Sequence, residues 1–297
     1  MAIGLSEKQQ AIRTQGIGAS EVARVLGLVP GAIDVYAAKT GEGEPFEGTT
    51  LTEFGQRIER VIGEAYLDRH VEEKIRIYTP GTIVYPQHSW ALASPDRVVA
   101  PEGLGRPARE QWLRVLEIKT VFFSSAEYGE GADEIPERHL VQVAWQQEVC
   151  GVEDATLVAL VNGDYREYPL KRDREMGGLL LQAVEKWWVD HVLARVPPPV
   201  DGSAAYTEYL RRRYPLDSGP MLDPSPEAEA IVARLREVKA ATKEAKATEE
   251  EIANQLRALL GNAAGIQGLC TYRMQKGCTY TSTREPGRVL RLAKEKR

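Results

Sequence analysis

Cysteine is nearly missing from this chain: Cys150, Cys270 and Cys278 are all there is. No two of them stand at a metal-ligand spacing, and three thiols build no disulfide framework, so finger-type and disulfide-stapled folds are excluded. Histidine is as sparse, with only His70, His88, His139 and His191, none at helical i,i+4 spacing. A metal site here would be built on oxygen ligands, which favours Mg²⁺ or Mn²⁺ over Zn²⁺. No apolar run approaches the roughly 18 residues that span a bilayer. No signal-peptide pattern opens the chain either. The expectation is a soluble protein of a reducing compartment with no membrane partner.

An excess of positive charge is also lacking. The net charge is −5 over 297 residues. That total does not advertise nucleic-acid binding, but the distribution is uneven. Residues 263–297 hold eight Lys/Arg against Glu285 and Glu295, so the tail is +6 and the rest −11. A chain that is acidic overall still binds nucleic acid when its basic residues line one groove.

What is present centres on residues 90–120. Two short apolar runs of strand character, Trp90–Ala93 and Val115–Ile118, carry Asp96, Glu117 and Lys119 at their ends. Alternation puts Glu117 and Lys119 on one face of their strand and Ile118 on the other. Pro95 keeps Ser94 extended and denies a ladder donor, so the strand breaks where the Asp96 carboxylate appears. Two carboxylates and an ammonium at neighbouring strand ends suit a divalent cation. The plainer reading is a charged strand edge beside a turn aspartate.

The surrounding pattern is mixed α/β. Ser20 reads as the N-cap of a short helix closed by Gly27, with Glu21 in its first turn. Gly16 and Gly18 leave backbone N–H groups uncovered before it, and Arg13 lies close in sequence. Together these form a candidate anion site, against the plain reading of a capped helix with a surface arginine. Residues 52–69 read as a helix whose buried stripe is Phe54, Ile58, Val61, Ile62, Ala65 and Tyr66, with Glu59 on its flank. Strands are expected at 74–79, 83–85, 113–119, 156–161 and 166–170. Helices are expected at 34–39, at 136–150 with Gln142 on an edge, and at 173–195. Pro197-Pro198-Pro199 marks a boundary.

Beyond residue 203 the character changes. Ile231, Leu235, Val238, Thr242, Ala245, Glu249, Ile252, Leu256 and Leu259 alternate steps of four and three, which is a heptad seam. It fits one long helix over 225–260 or a hairpin turning near Thr248, where T-E-E-E resembles a capping box.

Pro95-Asp96 followed by Glu117-Ile118-Lys119, with a helix carrying Glu59 before and a helix carrying Gln142 after, matches the PD-(D/E)xK nuclease motif. More of the chain agrees, over roughly residues 11–202: R-T-Q-G-I-G-A-S-E at 13–21, F-G-Q-R-I-E at 54–59, A-S-P-D at 93–96, L-E-I-K-T at 116–120, Q-V-A-W-Q at 142–146, and H-V-x-x-x-x-P-P-x-x-D-G at 191–202. The chain thereby resembles the YqaJ-like viral recombinase family, a relative of which is phage lambda exonuclease. The resemblance implies a restriction-endonuclease-like core, a mixed central β-sheet flanked by helices, over residues 1–203. A helical C-terminal extension with its basic tail fills 204–297.

It also implies a metal-dependent exonuclease that degrades linear duplex DNA 5′→3′ from phosphorylated ends in phage-type recombination. Asp96, Glu117, Glu59 and the Ile118 carbonyl would hold one or two Mg²⁺ (or Mn²⁺) ions. Lys119 would orient or deprotonate the attacking water, Gln142 would support the site, and Arg13 and Ser20 would hold a 5′-phosphate. Partners implied are duplex DNA, further copies of the chain in a trimeric ring, and a single-strand annealing protein, in the cytoplasm of a bacterial host of a phage or prophage. The alternatives are a RecB-like or endonucleolytic repair nuclease and a non-catalytic DNA-binding assembly protein. Arg97 stands where a Gly is usual in the family, Phe54 where Trp is common, and Gln146 where related nucleases often have Tyr.

Overall fold

The computed structural model describes residues 7–43, 49–121, 127–129, 134–279, 281 and 288–293, with side chains for all of these except 7–10 and 51–52. The chain forms two compact units, Met1–Arg212 and Arg213–Arg297.

In the first unit the elements run α1 (Glu7–Thr14), β1 (Ile17–Gly18), α2 (Ala19–Val25), α3 (Ala32–Thr40), α4 (Thr50–Arg69), β2 (Ile75–Tyr78), β3 (Ile83–Val84), β4 (Ala91–Ala93), β5 (Arg97–Pro101) and β6 (Arg114–Val121). There follow α5 (Glu137–Cys150), β7 (Asp154–Val161), β8 (Asp164–Lys171), α6 (Arg174–Trp187), a π-helical turn at Trp188–Leu193, and α7 (Ala204–Arg213). The main sheet has the order β2-β5-β6-β7-β8. Only β6 and β7 run parallel; the other neighbours are antiparallel. Parallel strands need a crossover, and α5 supplies it. The fold is the expected mixed sheet flanked by helices.

The alternation along β6 divides the unit into layers. Leu116 and Ile118 join Ile62 and Tyr66 of α4, Val99 and Val158 in one core. Val115 faces the other way, into a core shared by α2, α3, α5 and α6. Only Ile58, Ile62 and Tyr66 of the expected α4 stripe pack inward; Phe54 and Val61 are exposed, because the helix touches the sheet along a narrower line than its apolar run.

The segment around Asp96 departs from the expected arrangement. β4 does not share a sheet with β6. It lies between β1 and β3 in a separate three-stranded sheet. The chain then breaks at Ser94-Pro95-Asp96 and starts a strand that the sequence reading passed over, β5, which pairs with β6 from Arg97 opposite Leu116. Both sheets are anchored here: Trp145 Nε1 of α5 donates to the Leu92 carbonyl at 2.9 Å. Gly16 is required by close approach, since a Cβ there would lie 2.2 Å from the Trp90 carbonyl oxygen.

α7 closes the first unit one helix beyond the Pro-rich segment, with Tyr206 and Tyr209 buried and Tyr209 Oη donating to Glu42 Oε2 at 2.9 Å. The second unit is dominated by α8 (Pro226–Leu260), a single helix rather than a hairpin, capped by Ser225 Oγ accepting from the Ala228 N–H. A two-strand ladder, β9 (Gly265–Ile266) with β10 (Cys270–Thr271), follows it. Residues 288–293 are irregular; much of the remaining basic tail lies outside the described residues. Among the described residues no helix is long and apolar enough to cross a membrane.

Candidate active site

β6 and α5 bring Glu117, Lys119 and Gln142 together, with Asp96 at the start of β5 and Glu59 on α4 nearby. β6 carries Glu117 and Lys119 on the face that α5 covers, and α5 presents Gln142 and Gln146 one turn apart. The Glu117 carboxylate is 3% exposed and takes three donors. Its Oε1 accepts from Lys119 Nζ at 2.7 Å and from Gln142 Nε2 at 2.5 Å; its Oε2 accepts from Gln146 Nε2 at 2.6 Å. Lys119 Nζ also donates to Gln142 Oε1 at 3.0 Å. Gln146 is the member that family comparison at the sequence level undervalued. Its signal was there, since i and i+4 on a helix share a face with Gln142.

Asp96 sits at the mouth of β5, where continuing the β5–β6 register sets it opposite Glu117. Its Oδ2 accepts the Ile118 N–H at 2.7 Å. Burial, then the Glu117 and Glu59 carboxylates, push the Asp96 pKa well above the usual carboxylate range. Glu59 comes from α4, the helix on the opposite side of the sheet. Burial raises its pKa, Arg97 works against that, and Glu117 adds to it. For Lys119 burial disfavours the ammonium, but Glu117 and Asp96 outweigh it and the pKa is raised. In the metal-free protein Lys119 is therefore a cation at neutral pH.

The donor set fits a hard divalent cation in kind. A carboxylate oxygen has two lone pairs. Among the described residues three of the four on Glu117 are used, and Asp96 is engaged through Oδ2. Gln146 Oε1 is buried and has no hydrogen-bond partner among the described residues. Buried acceptors without donors call for a cation or water. As they stand, no three Asp, Glu, His or Cys side chains among the described residues are clustered to hold a metal. Two of the expected ligands are thus on one side of the sheet and Glu59 approaches from the other.

The candidate phosphate clamp is partly rearranged. Arg13 Nη2 does meet Ser20 Oγ at 3.3 Å. Ser20, however, is not the N-cap. Gly18 is, and its N–H is taken by Glu21 Oε2 at 2.7 Å, while the Ile17 N–H is taken by the Trp90 carbonyl at 2.7 Å. The Ile17 and Gly18 backbone donors are occupied, because β1 pairs with β4 and Glu21 folds back on its own helix start. Lys39, which the sequence reading did not single out, is buried beneath; it donates to the Arg13 carbonyl at 2.6 Å and to Glu21 Oε1 at 2.8 Å.

Comparison with known proteins agrees with this picture. Residues 9–153 match the model of the YqaJ-like viral recombinase domain. The chain is 29% identical over 212 residues to the uncharacterized protein YqaJ of Bacillus subtilis (strain 168), covering 68% of this chain. It spans about three fifths of that relative's length, 61%. Among solved structures, LHK-Exo in complex with dAMP superposes with a TM-score of 0.50 at 16% identity, over 71% of this chain and 98% of that one. The alkaline exonuclease LHK-Exo from Laribacter hongkongensis gives 0.47 at 18%, over the same shares. At these identities the likeness to solved structures is one of fold. The sequence match over residues 9–153, just under half of the chain, is a similarity to the YqaJ-like viral recombinase domain.

Proposed function

We propose that this protein is a metal-dependent exonuclease that degrades linear duplex DNA 5′→3′ from phosphorylated ends, in phage-type recombination. The observation that carries the reading is the convergence of Asp96, Glu117 and Lys119, with both carboxylates held on one side of the sheet by Ile118, Gln142 and Gln146. The similarity of residues 9–153 to the YqaJ-like viral recombinase domain supports the recombination setting.

Phosphodiester hydrolysis joins a water oxygen to phosphorus and breaks the bond to the 3′ oxygen, which leaves with a proton. Asp96, Glu117, the Ile118 carbonyl and Glu59 would hold Mg²⁺ or Mn²⁺, one ion or two. When bound, the metal polarises the phosphate and lowers the pKa of the attacking water. The chain's own groups do the rest. Gln142 and Gln146 hold the Glu117 carboxylate in one orientation, so it is presented rather than free to rotate. Lys119 places a fixed positive charge where negative charge grows in the transition state, a role for a cation rather than a base. Arg13 with Ser20 receives the terminal 5′-phosphate by charge-assisted hydrogen bonds.

The test compares linear duplex with and without 5′-phosphates against closed circles, with Mg²⁺ or with chelator. Loss of linear duplex only, only with metal, and faster with 5′-phosphate is expected. Cleavage of closed circles would favour an endonuclease on the same fold, and metal-dependent binding without cleavage a DNA-assembly protein. Arg13→Ala is expected to erase the preference for 5′-phosphate; an unchanged preference removes Arg13 from that role.

A further inference from the structure

The stripe of α5 that holds Glu117 does not stop at Gln142. His139, Gln142 and Gln146 stand at i, i+3 and i+7, so all three face the same way along the helix. The chemistry above uses the two glutamines and leaves His139 out. Its Nδ1 meets Tyr128 Oη at 2.6 Å. Its Nε2 makes no hydrogen bond among the described residues, on a ring that is only half-buried.

Tyr128 is itself pinned. Its side chain is buried, and its carbonyl accepts from Arg166 Nη1 of β8 at 2.8 Å. The next carbonyl, that of Gly129, accepts from Tyr168 Oη at 2.7 Å. Glu127, one residue before, takes both terminal nitrogens of Arg138 on α5, at 3.1 and 2.6 Å. A hydroxyl fixed in this way sets the state of the ring it touches. If Nδ1 gave the hydrogen, the buried phenol proton would have no acceptor, since Oη has no other partner among the described residues, and a buried donor left unpaired is costly. Tyr128 therefore donates to Nδ1, and in a neutral imidazole the other nitrogen, Nε2, carries the hydrogen. The ring is neutral: burial, then the Lys119 and Arg138 cations, push its pKa down to about 3 against the pull of Glu127. The charge of Lys119 thus reaches His139 from the candidate active site.

We infer that His139 is a further substrate-binding residue, whose Nε2–H donates to a phosphate oxygen of the DNA strand beside Lys119, with Tyr128 as the residue that positions it. The inference rests on the nuclease reading above. A neutral donor suits that place. A protonated imidazole would be repelled by Lys119 and Arg138, whereas an uncharged N–H adds a directed hydrogen bond to the anion without that cost.

The experiment reads cleavage of linear duplex with Mg²⁺, and binding of the same duplex with Ca²⁺ in its place. His139→Asn keeps an acceptor near the Nδ1 position for Tyr128 but has nothing at the Nε2 position; His139→Gln does the reverse. His139→Asn is expected to melt with the parent, yet to lose roughly tenfold or more in cleavage and several-fold in duplex affinity, the worth of one hydrogen bond to a charged group. His139→Gln is expected to melt lower and to retain most of both. Tyr128→Phe should lose part of the cleavage, and the double variant with His139→Asn no more than His139→Asn alone, because residues acting through one bond are not additive. His139→Asn that cleaves and binds like the parent overturns the inference. So does the reverse order of the two His139 variants, which would make the Tyr128 contact purely structural, and additive losses in the double variant remove Tyr128 from its positioning role. A parent that does not cleave overturns the nuclease reading instead; duplex affinity then decides this inference by itself, and equal affinity of the parent and His139→Asn overturns it.

Discussion

Gln146 Nε2 donates to Glu117 Oε2 across 2.6 Å, between a side chain 1% exposed and one 3% exposed. A hydrogen bond to a buried charged group contributes roughly 1.5–3 kcal/mol. Gln146→Leu leaves that oxygen without its donor. The expected outcome is a loss of stability of about that size in chemical denaturation, with a lower cleavage rate because Glu117 is held from one side only. A variant as stable and as fast as the parent would show that Gln142 and Lys119 alone fix the carboxylate.

Asp96 is the group that the metal-free site penalises most. Its pKa is raised in the folded protein by burial, Glu117 and Glu59, so the native state binds its proton more tightly than the unfolded chain does. Stability from this group is present below the ordinary Asp range and is lost as pH rises through the raised folded value. At pH 8 with chelator, Asp96→Asn is therefore expected to melt at a higher temperature than the parent. Added Mg²⁺ should raise the melting temperature of the parent and leave the variant little changed, while the variant loses cleavage by a factor of about 10² or more. A variant that melts lower than the parent in chelator, or one that cleaves normally, contradicts the assignment.

Arg97 gives its Nη1 hydrogen to the Asp96 carbonyl at 2.5 Å and opposes the rise in the Glu59 pKa. It is a resident cation beside Glu59. Arg97→Gly removes a charge that would compete with the proposed metal. Half-saturation in Mg²⁺ is expected to fall several-fold, about 1 kcal/mol in binding being roughly a factor of five, with DNA held less tightly. Metal dependence that does not move would make Arg97 a purely structural residue.

His70 lies between Glu73 (2.6 Å) and Glu167 (2.9 Å) and stacks on Tyr66. Burial alone would lower its pKa, but the hydrogen bonds to Glu167 and Glu73 outweigh it, and the pKa is raised. A cation favoured in the folded state contributes fully below about pH 6.5, the ordinary imidazole value, and loses its contribution as pH rises through the folded value. His70→Gln should be less stable than the parent at pH 6, and the gap should shrink at alkaline pH. A gap constant from pH 6 to pH 9 would count against the charge as its source.

Much of the site could be read along the chain because its parts are local. Glu117 and Lys119 share a face through strand alternation, Pro95 forces the break at Asp96, and Pro136 and Gly151 bound the helix that brings Gln142. The strand at 97–101 escaped because R-V-V-A-P after the break reads as a tail of the preceding run; only its pairing with β6 makes it a strand. Ser20 was mistaken for the cap because Ser is a better cap than Gly in isolation, while the close approach of Gly16 to Trp90 moves the helix start back to Gly18.

The amino-acid sequence by itself determined which chemical groups the candidate site has to offer. A chain with few thiols and imidazoles but a Pro-Asp and a Glu-x-Lys at strand ends offers oxygen ligands and one ammonium. It determined as well the period of the α8 seam, which is a property of residue order alone. Tertiary structure decided everything that depends on distance across the sheet: that Gln146 completes the shell of Glu117, that Glu59 approaches from the opposite layer, that Lys119 keeps its charge, and that the Ile17 and Gly18 backbone donors near Ser20 are already spent. The reason is physical. Periodicity fixes which face a side chain takes, whereas burial and neighbouring charge, which set hydrogen bonding and protonation, exist only once distant segments have packed together.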